Sequence, residues 1–185
     1  MDLPPDVPRL RAGDRFALRP WQLSDLGLVR EASDDDYIPQ ITTIPYPYTD
    51  AAGTAFVERQ WQRPVTGAGY PFVIVRTEDS GPVPVGNVGL WLRDHAQGRA
   101  SVGYWVVNSA RGQGAAAAAL SAVTSWGLGE LRIPRLELYA EPWNTASLRT
   151  AERAGFEREG LLRSWQRVGA ERRDMFMYSM IRTPR

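Results

Sequence analysis

Cysteine is absent from the 185 residues, and so is lysine: all 22 basic residues are arginine. The first absence removes disulfides, thiol nucleophiles and thiolate-held zinc or iron–sulfur centres together. The second removes the Walker A loop, the protein-kinase strand lysine and the pyridoxal-phosphate Schiff base, each of which needs a lysine amine. A single histidine, His95, is present. Two-histidine metal motifs are therefore excluded, and no metal site is expected. A Ser-His-Asp triad would have to use His95, which follows Asp94 in a polar, loop-like stretch; this argues against such a hydrolase. No apolar run approaches the ~20 residues of a membrane helix. The opening MDLPPDVPRLRAGDR has no apolar signal core. The expected compartment is the cytoplasm, with no membrane partner.

What is present suits one soluble domain: 43% hydrophobic and 23% charged residues, with seven Trp and seven Tyr to supply a core. The net charge of +1 does not suggest a nucleic-acid partner. The balance is uneven, however: residues 149–185 hold nine Arg against five acids, and residues 1–148 hold 13 Arg against 16 acids. The basic tail reads as a solvated, Arg-rich strand surface or as a patch for an anionic cofactor or RNA.

Along the chain, residues 1–14 read as an irregular, Pro-rich arm and residues 15–182 as a single domain. FALRP (16–20) is a short strand, and Ser24 or Asp25 caps a helix to about Ser33. Asp34, Asp35 and Asp36 read as a solvated turn or as a rim for a cationic substrate. PQITTIPYPYTD (39–50), with three Pro, is neither regular helix nor central strand. Asp50 caps a helix to about Gln62, ended by Pro64. YPFVIVR (70–76), VGNVGLWLR (85–93) and SVGYWVV (101–107) are strands joined by short turns, hence an antiparallel meander. A helix over 115–131 and the strand RLELYAE (135–141) follow, which makes a crossover between parallel strands. A helix begins after Asn144 and stops at Gly155, and two strands near 156–165 and 173–181 close the chain.

Chemistry concentrates in Asn108-Ser-Ala-Arg-Gly-Gln-Gly-Ala-Ala116, where a strand enters a glycine loop and a helix starts at once. The first N–H groups of a helix lack internal partners, and the dipole there is positive. Gly112 and Gly114 let a diphosphate approach the backbone, and Arg111 adds charge. Two ligands suit such a cradle. A dinucleotide is one, since Gly112-Gln113-Gly114-Ala115-Ala116-Ala117 fits G-x-G-x-x-A. But a dinucleotide fold places that motif after its first parallel strand, and three antiparallel strands precede it here. Coenzyme A is the other.

Arg111-Gly-Gln-Gly114-Ala-Ala116 fits [Q/R]-x-x-G-x-[G/A], the signature of the GNAT superfamily of N-acyltransferases. The resemblance covers nearly the whole chain. LRPWQLSD (18–25), PYPYT (45–49), VGNVGL (85–90), VGYWV (102–106), RLEL (135–138), NTASLR (144–149), AERAGF (151–156) and EGLLR (159–163) resemble, in order, the RimJ/RimL branch of ribosomal-protein N-terminal acetyltransferases. The resemblance implies an α/β GNAT fold over 15–182: a mixed, mostly antiparallel sheet with helices on both sides. It implies strands at 102–107 and 135–140 that splay apart. Backbone groups of Val106 and Val107 would pair with the pantetheine arm, and N–H groups from Arg111 through Gly112, Gln113, Gly114 and Ala115 to Ala116 would hold the pyrophosphate. Asn144 would bond the pantetheine or acyl region. The expected donor is acetyl-CoA, with succinyl-CoA as an alternative. The acceptor is an amine, either a peptide N-terminus or a small molecule, attacked directly in a ternary complex by a monomer or homodimer. The rival reading is a CoA-binding regulatory domain with little turnover.

For the proton of the leaving thiolate, many relatives use a Tyr seven residues after the Asn; here Ala151 stands there, and Ser147, three residues after Asn144, is the implied donor. Ser147 also reads as an ordinary first-turn helix Ser. Where the branch carries Glu in A-E-I-G-Y-W, this chain has Ser101 in Ala-Ser-Val-Gly-Tyr-Trp. The direct carboxylate base is therefore missing, which favours an acceptor amine of low pKa. Asp94 and Glu141 are alternatives by order, but both read as surface residues. Tyr37, Tyr46, Trp91, Ser101 and Trp143 are the candidate acceptor-pocket residues, with Trp91 also suited to the core.

Overall fold

The computed structural model describes residues 3–182. β1 (Leu10–Ala12) and β2 (Phe16–Arg19) lead to α1 (Leu26–Ser33), α2 (Ile38–Ile41) and α3 (Asp50–Val65). The strands β3 (Gly69–Arg76), β4 (Val83–Trp91) and β5 (Arg99–Val106) follow. Then come α4 (Ala115–Gly129), β6 (Arg135–Ala140), α5 (Thr145–Arg153), β7 (Glu157–Val168) and β8 (Glu171–Ile181). One sheet holds all eight strands in the order β1-β2-β3-β4-β5-β6-β8-β7. Every pairing is antiparallel except β5 with β6.

Strand alternation sends successive side chains to opposite faces, and both faces are covered. On one, Trp126 of α4 meets Tyr70 and Phe72 edge-on at 4.9 and 5.6 Å. Gly127 lets Leu90 and Leu136 pack against the same helix, since a Cβ there would stand 3.2 Å from Leu136. On the other face, Trp21 lies 5.2 Å from Phe56 of α3 and 6.2 Å from Trp105 of β5, and its indole N–H donates to Asn87 at 3.1 Å.

The pairing of β5 with β6 determines where the site lies. It holds at Arg99↔Arg135, Ala100↔Leu136 and Ser101↔Glu137 and then ends, although β5 runs on to Val106 and β6 to Ala140. The two strands splay, as the resemblance implies.

Three local expectations change. The N-terminal arm is not wholly irregular: Leu10–Ala12 pairs with Phe16–Leu18, while Met1 and Asp2 lie outside the described residues. The Pro-rich stretch contains the short helix α2, because Pro39 occupies its first turn, where no amide hydrogen is needed. Thr49, rather than Asp50, caps α3 by accepting from the Ala52 N–H at 3.1 Å, and Pro64 sits inside its last turn.

Asp25 does not work as a simple helix cap either. Its buried carboxylate takes two bonds from Arg19, at 2.6 and 2.7 Å, and one from the Gln22 N–H at 2.8 Å. Removing one partner of such a pair strands the other charge. Asp25→Ala is expected to cost about 3–5 kcal/mol in urea denaturation, and Ser24→Ala less than about 0.5 kcal/mol. Equal effects would show that Asp25 serves only as a cap.

Candidate active site

The segment after β5 builds the cradle. Gly112 and Gly114 adopt φ of 75° and 88°, left-handed values that glycine takes without strain. A Cβ placed on either would meet nothing within 4 Å, so the space beyond each is open to a ligand. α4 begins directly after, at Ala115, and aims its free N–H groups at that space. A cavity of about 540 Å³ runs from here along Val106, Arg111, Ala115 and Ala116 to Asn144 and Ser147. These residues fit a pantetheine and diphosphate.

Two expected cofactor contacts are occupied otherwise: the backbone of Val107, and the N–H of Arg111, which donates to the Asn108 carbonyl at 3.3 Å. The Val107 N–H bonds Val85 and its carbonyl accepts from Ala110, so Val107 has no backbone group for pantetheine; only Val106 borders the groove. The Gln113 side chain turns away and accepts from Arg76 at 2.7 Å, and its backbone N–H takes no part in that bond. Arg111 donates to the Val106 carbonyl at 3.0 Å and to Asp35 at 2.5 Å. Its charge is thereby balanced, and the backbone is left as the chief anion holder.

A second cavity of about 570 Å³ opens on the opposite side of the splay. Its floor is β4 and β5, with Trp91, Ser101, Gly103 and Trp105 in the lining. The indole of Trp91 lies flat against this floor. A Cβ on Gly89 would come within 2.2 Å of the ring, and one on Gly103 within 3.4 Å of its nitrogen. The two glycines, paired across the strands, make room for the indole. Trp91 is thus a wall residue rather than a member of the buried core. Tyr37, Tyr104, Trp105, Asn144 and Ser147 line both cavities, so the two spaces meet at these side chains. Trp143 lines only the first cavity, on the cofactor side, and Tyr46 lines neither, being 77% exposed. Neither belongs to the acceptor pocket.

Asn144 caps α5, accepting from the Ser147 N–H at 3.1 Å. That leaves its amide hydrogens for another acceptor and fixes Ser147 beside it. Opposite stands a carboxylate. Glu141, expected at the surface, is 3% exposed. It accepts from the Tyr37 hydroxyl at 2.6 Å and from the Trp143 indole at 2.9 Å, with Arg173 at 3.9 Å. Burial, and then the Glu141 carboxylate, push the Tyr37 pKa well above the ordinary tyrosine value, so Tyr37 stays a hydroxyl at neutral pH. Asp35 positions it from behind by accepting from the Tyr37 and Ile38 N–H groups, at 2.9 Å each. Burial opposes the charge on Asp35, yet those two N–H groups and Arg111 hold its pKa below the usual value. Asp35 is therefore an anchor, while its neighbours Asp34 and Asp36 are exposed.

A second carboxylate lies under the floor. Ser101 is level with Glu137 on β6, and buried Glu137 accepts from the Tyr139 hydroxyl at 2.7 Å. Tyr139 lines the acceptor cavity. Glu137 is also paired with Arg135 at 2.7 Å, so its charge is balanced within the sheet. Asp94, by contrast, remains a surface residue, its side chain 46% exposed.

The model of the GNAT acetyltransferase domain matches residues 15–157. The chain belongs to the GNAT acetyltransferase family. Acetyl-CoA is the acyl donor of this GNAT protein, and an amine is the acceptor. The "uncharacterized N-acetyltransferase p20" of Bacillus licheniformis is 26% identical over 171 residues, covering 91% of this chain and 94% of the relative. RimJ of Mycobacterium smegmatis, solved in complex with CoA-disulfide, superposes with a TM-score of 0.79 at 28% identity, covering 96% of this chain and 88% of that one. RimL, named a ribosomal L7/L12 alpha-N-protein acetyltransferase and solved with CoA, superposes with a TM-score of 0.80 at 20% identity, covering 94% of this chain and 98% of that one.

In this GNAT domain the sequence reading missed Tyr104 and the burial of Glu141. Tyr104 lies on a recognised strand, and only the splay turns it into a wall of both cavities. The partner of Glu141 is 104 positions away, beyond any local spacing rule. Gly114→Ala places a methyl group in the cradle and strains a left-handed residue. We expect it to lower stability by about 1–2 kcal/mol and to abolish the acetyl-CoA-induced rise in Tm. In the wild type that rise corresponds to ~2.7 kcal/mol at about 100 Kd. A full rise in the variant would contradict the cradle.

Proposed function

We propose that this GNAT acetyltransferase acts on an α-amino group at a peptide N-terminus, or on a small-molecule amine, by direct attack in a ternary complex in the cytoplasm. The observation that carries the reading is the junction of the two cavities at Tyr37, Asn144 and Ser147. A donor in one groove and an acceptor in the other meet there without a covalent enzyme intermediate. The chain has no cysteine to form one. RimL, by its printed name, acetylates an α-amino group, which supports the peptide reading.

Acetyl-CoA supplies an activated thioester carbonyl. Everything else falls to the chain. Tyr37 takes a proton from the incoming ammonium as it passes its own to Glu141, over the 2.6 Å bond already in place. The amine nitrogen, now neutral, bonds the carbonyl carbon. A free N–H of the splayed β5 edge or the Asn144 amide donates to the carbonyl oxygen as charge builds there. The carbon–sulfur bond breaks, Ser147 gives its hydroxyl proton to the sulfur, and Ser147 recovers one from the nitrogen. The net proton rests on Glu141 and leaves to water. Glu141 thus replaces the carboxylate missing at Ser101. An α-amino group, with a pKa of about 7.7–8.0, is an easier acceptor than a lysine at about 10.4.

Glu141→Gln and Tyr37→Phe should each lower kcat by ~10²–10⁴-fold, with acetyl-CoA affinity unchanged within a few-fold. The loss should be greatest at pH 6, where the amine most needs a base, and smallest at pH 9. Ser147→Ala should lower kcat by ~10–100-fold. Thiol release from acetyl-CoA, followed from pH 6 to 9 with a peptide N-terminus as acceptor, measures all three. An unchanged kcat in the Glu141 and Tyr37 variants would remove the relay. Tight acetyl-CoA binding without turnover on any amine would favour a CoA-binding regulatory domain.

A further inference from the structure

The acceptor cavity holds one guanidinium whose position the fold fixes. Arg63, in the last turn of α3, lies over the face of Trp91 at 4.8 Å. Trp91 in turn rests on the Gly89–Gly103 floor, so sheet, indole and guanidinium form a stack. The Arg63 Nε donates to Gln60 at 3.0 Å, and Gln60 is buried and tied to the Phe56 carbonyl at 2.9 Å. The two terminal nitrogens of Arg63 have no hydrogen-bond acceptor among the described residues.

No acid compensates this charge. Arg63, Arg93 and Arg167 all line the cavity, and none has an ion-pair partner among the described residues. The carboxylate in the lining, Glu141, is already bonded to Tyr37 and Trp143. Burial, with Arg59 adding like-charge repulsion, pushes the Arg63 pKa below the ordinary arginine value. A partly buried cation held flat, with its planar fork free, is arranged for bidentate pairing with a carboxylate or phosphate.

Resting on the acetyltransferase reading, we propose that Arg63 selects acceptors that carry an anionic group roughly 10–13 Å from the reacting amine. The span follows from the floor. Trp91 is level with Ser101, and Trp105, at the junction, is level with Asn87. Four residues at about 3.3 Å each give ~13 Å between the two ends. A free amino acid is too short to reach, since its carboxylate adjoins its own amine. An extended peptide with an acidic third residue fits: two residues span ~7 Å, and the side chain supplies the rest. The same chemistry serves a carboxylate or a phosphate there.

The test is calorimetry on the protein saturated with CoA. It is titrated with three tetrapeptide amides: Ser-Ala-Glu-Ala, Ser-Ala-Gln-Ala and the same sequence with phosphoserine third. In the wild type at least one anionic peptide binds about tenfold tighter than the Gln peptide, or more, and the tighter of the two identifies the anion. In Arg63→Gln the three bind within about twofold of one another. Arg59→Gln, an exposed neighbour outside the cavity lining, retains the full preference. Equal binding in the wild type, a preference that survives in Arg63→Gln, or its loss in Arg59→Gln would each overturn the proposal. The acetyl-CoA-induced rise in Tm, measured on the same samples, stays at the wild-type value in both variants. Its absence from the wild type would instead strike the acetyltransferase reading.

Discussion

The parallel pairing of β5 and β6 ends after three residues, and the rest of the molecule is organised around that ending. Each strand is bound to its outer neighbour beyond the break: β5 to β4 as far as Val106, and β6 to β8 as far as Ala140. The sheet therefore opens between them without losing any other pairing. Backbone groups along the two inner edges need partners, and a strand-like ligand can provide them. The pantetheine arm carries amides at suitable intervals. Opening the sheet also joins its two faces at one point. The cofactor groove on the α4 and α5 side and the acceptor cavity on the α3 side meet there, at Tyr37, Asn144 and Ser147.

Charge is arranged around the same opening. All 22 Lys-or-Arg positions are arginine, so these side chains act as planar forks that cannot lose their protons at neutral pH. Arg111, which by position guards the diphosphate, is balanced by Asp35, and Asp35 also sets Tyr37. One carboxylate thus couples the cofactor loop to the proton relay. Arg63 has no such balance, and its charge faces the acceptor. The two guanidiniums differ in what they hold: Arg111 holds the protein's own acid, while Arg63 is left for a ligand's.

Much of this was legible in the sequence where the signal is local. The strand–glycine loop–helix at 101–129 is written in Gly112, Gly114 and the alanine run, and the meander in its short turns. The splay came from the family resemblance, not from spacing. The errors arose where the outcome depends on an element's last residue or on distant partners. The resemblance places Val107 in the groove, but its N–H reaches back to Val85 of β4, a matter of where the strand ends. β1 is only three residues long, too short for alternation to show. Glu141 looked like a surface acid beside Pro142, because nothing nearby reveals that Tyr37 arrives to cover it. The strand position of Trp91 suits core and wall alike, and Gly89 and Gly103 beneath the indole make it a wall. Arg63 carried no signal at all, since a helical Arg before Pro64 reads as a solvated terminus.

The central claim is that donor and acceptor meet through the gap between β5 and β6. A crystal structure of the protein with acetyl-CoA tests it most directly. The account predicts the pantetheine lying between the two strands and bonded to the Val106 backbone. Its diphosphate should sit against the N–H groups from Gly112 to Ala116, and its thioester carbonyl beside Asn144 and Ser147, facing the Tyr37 hydroxyl. A cofactor bound elsewhere, or one whose thioester lies on the far side of α5 from Tyr37, would contradict it.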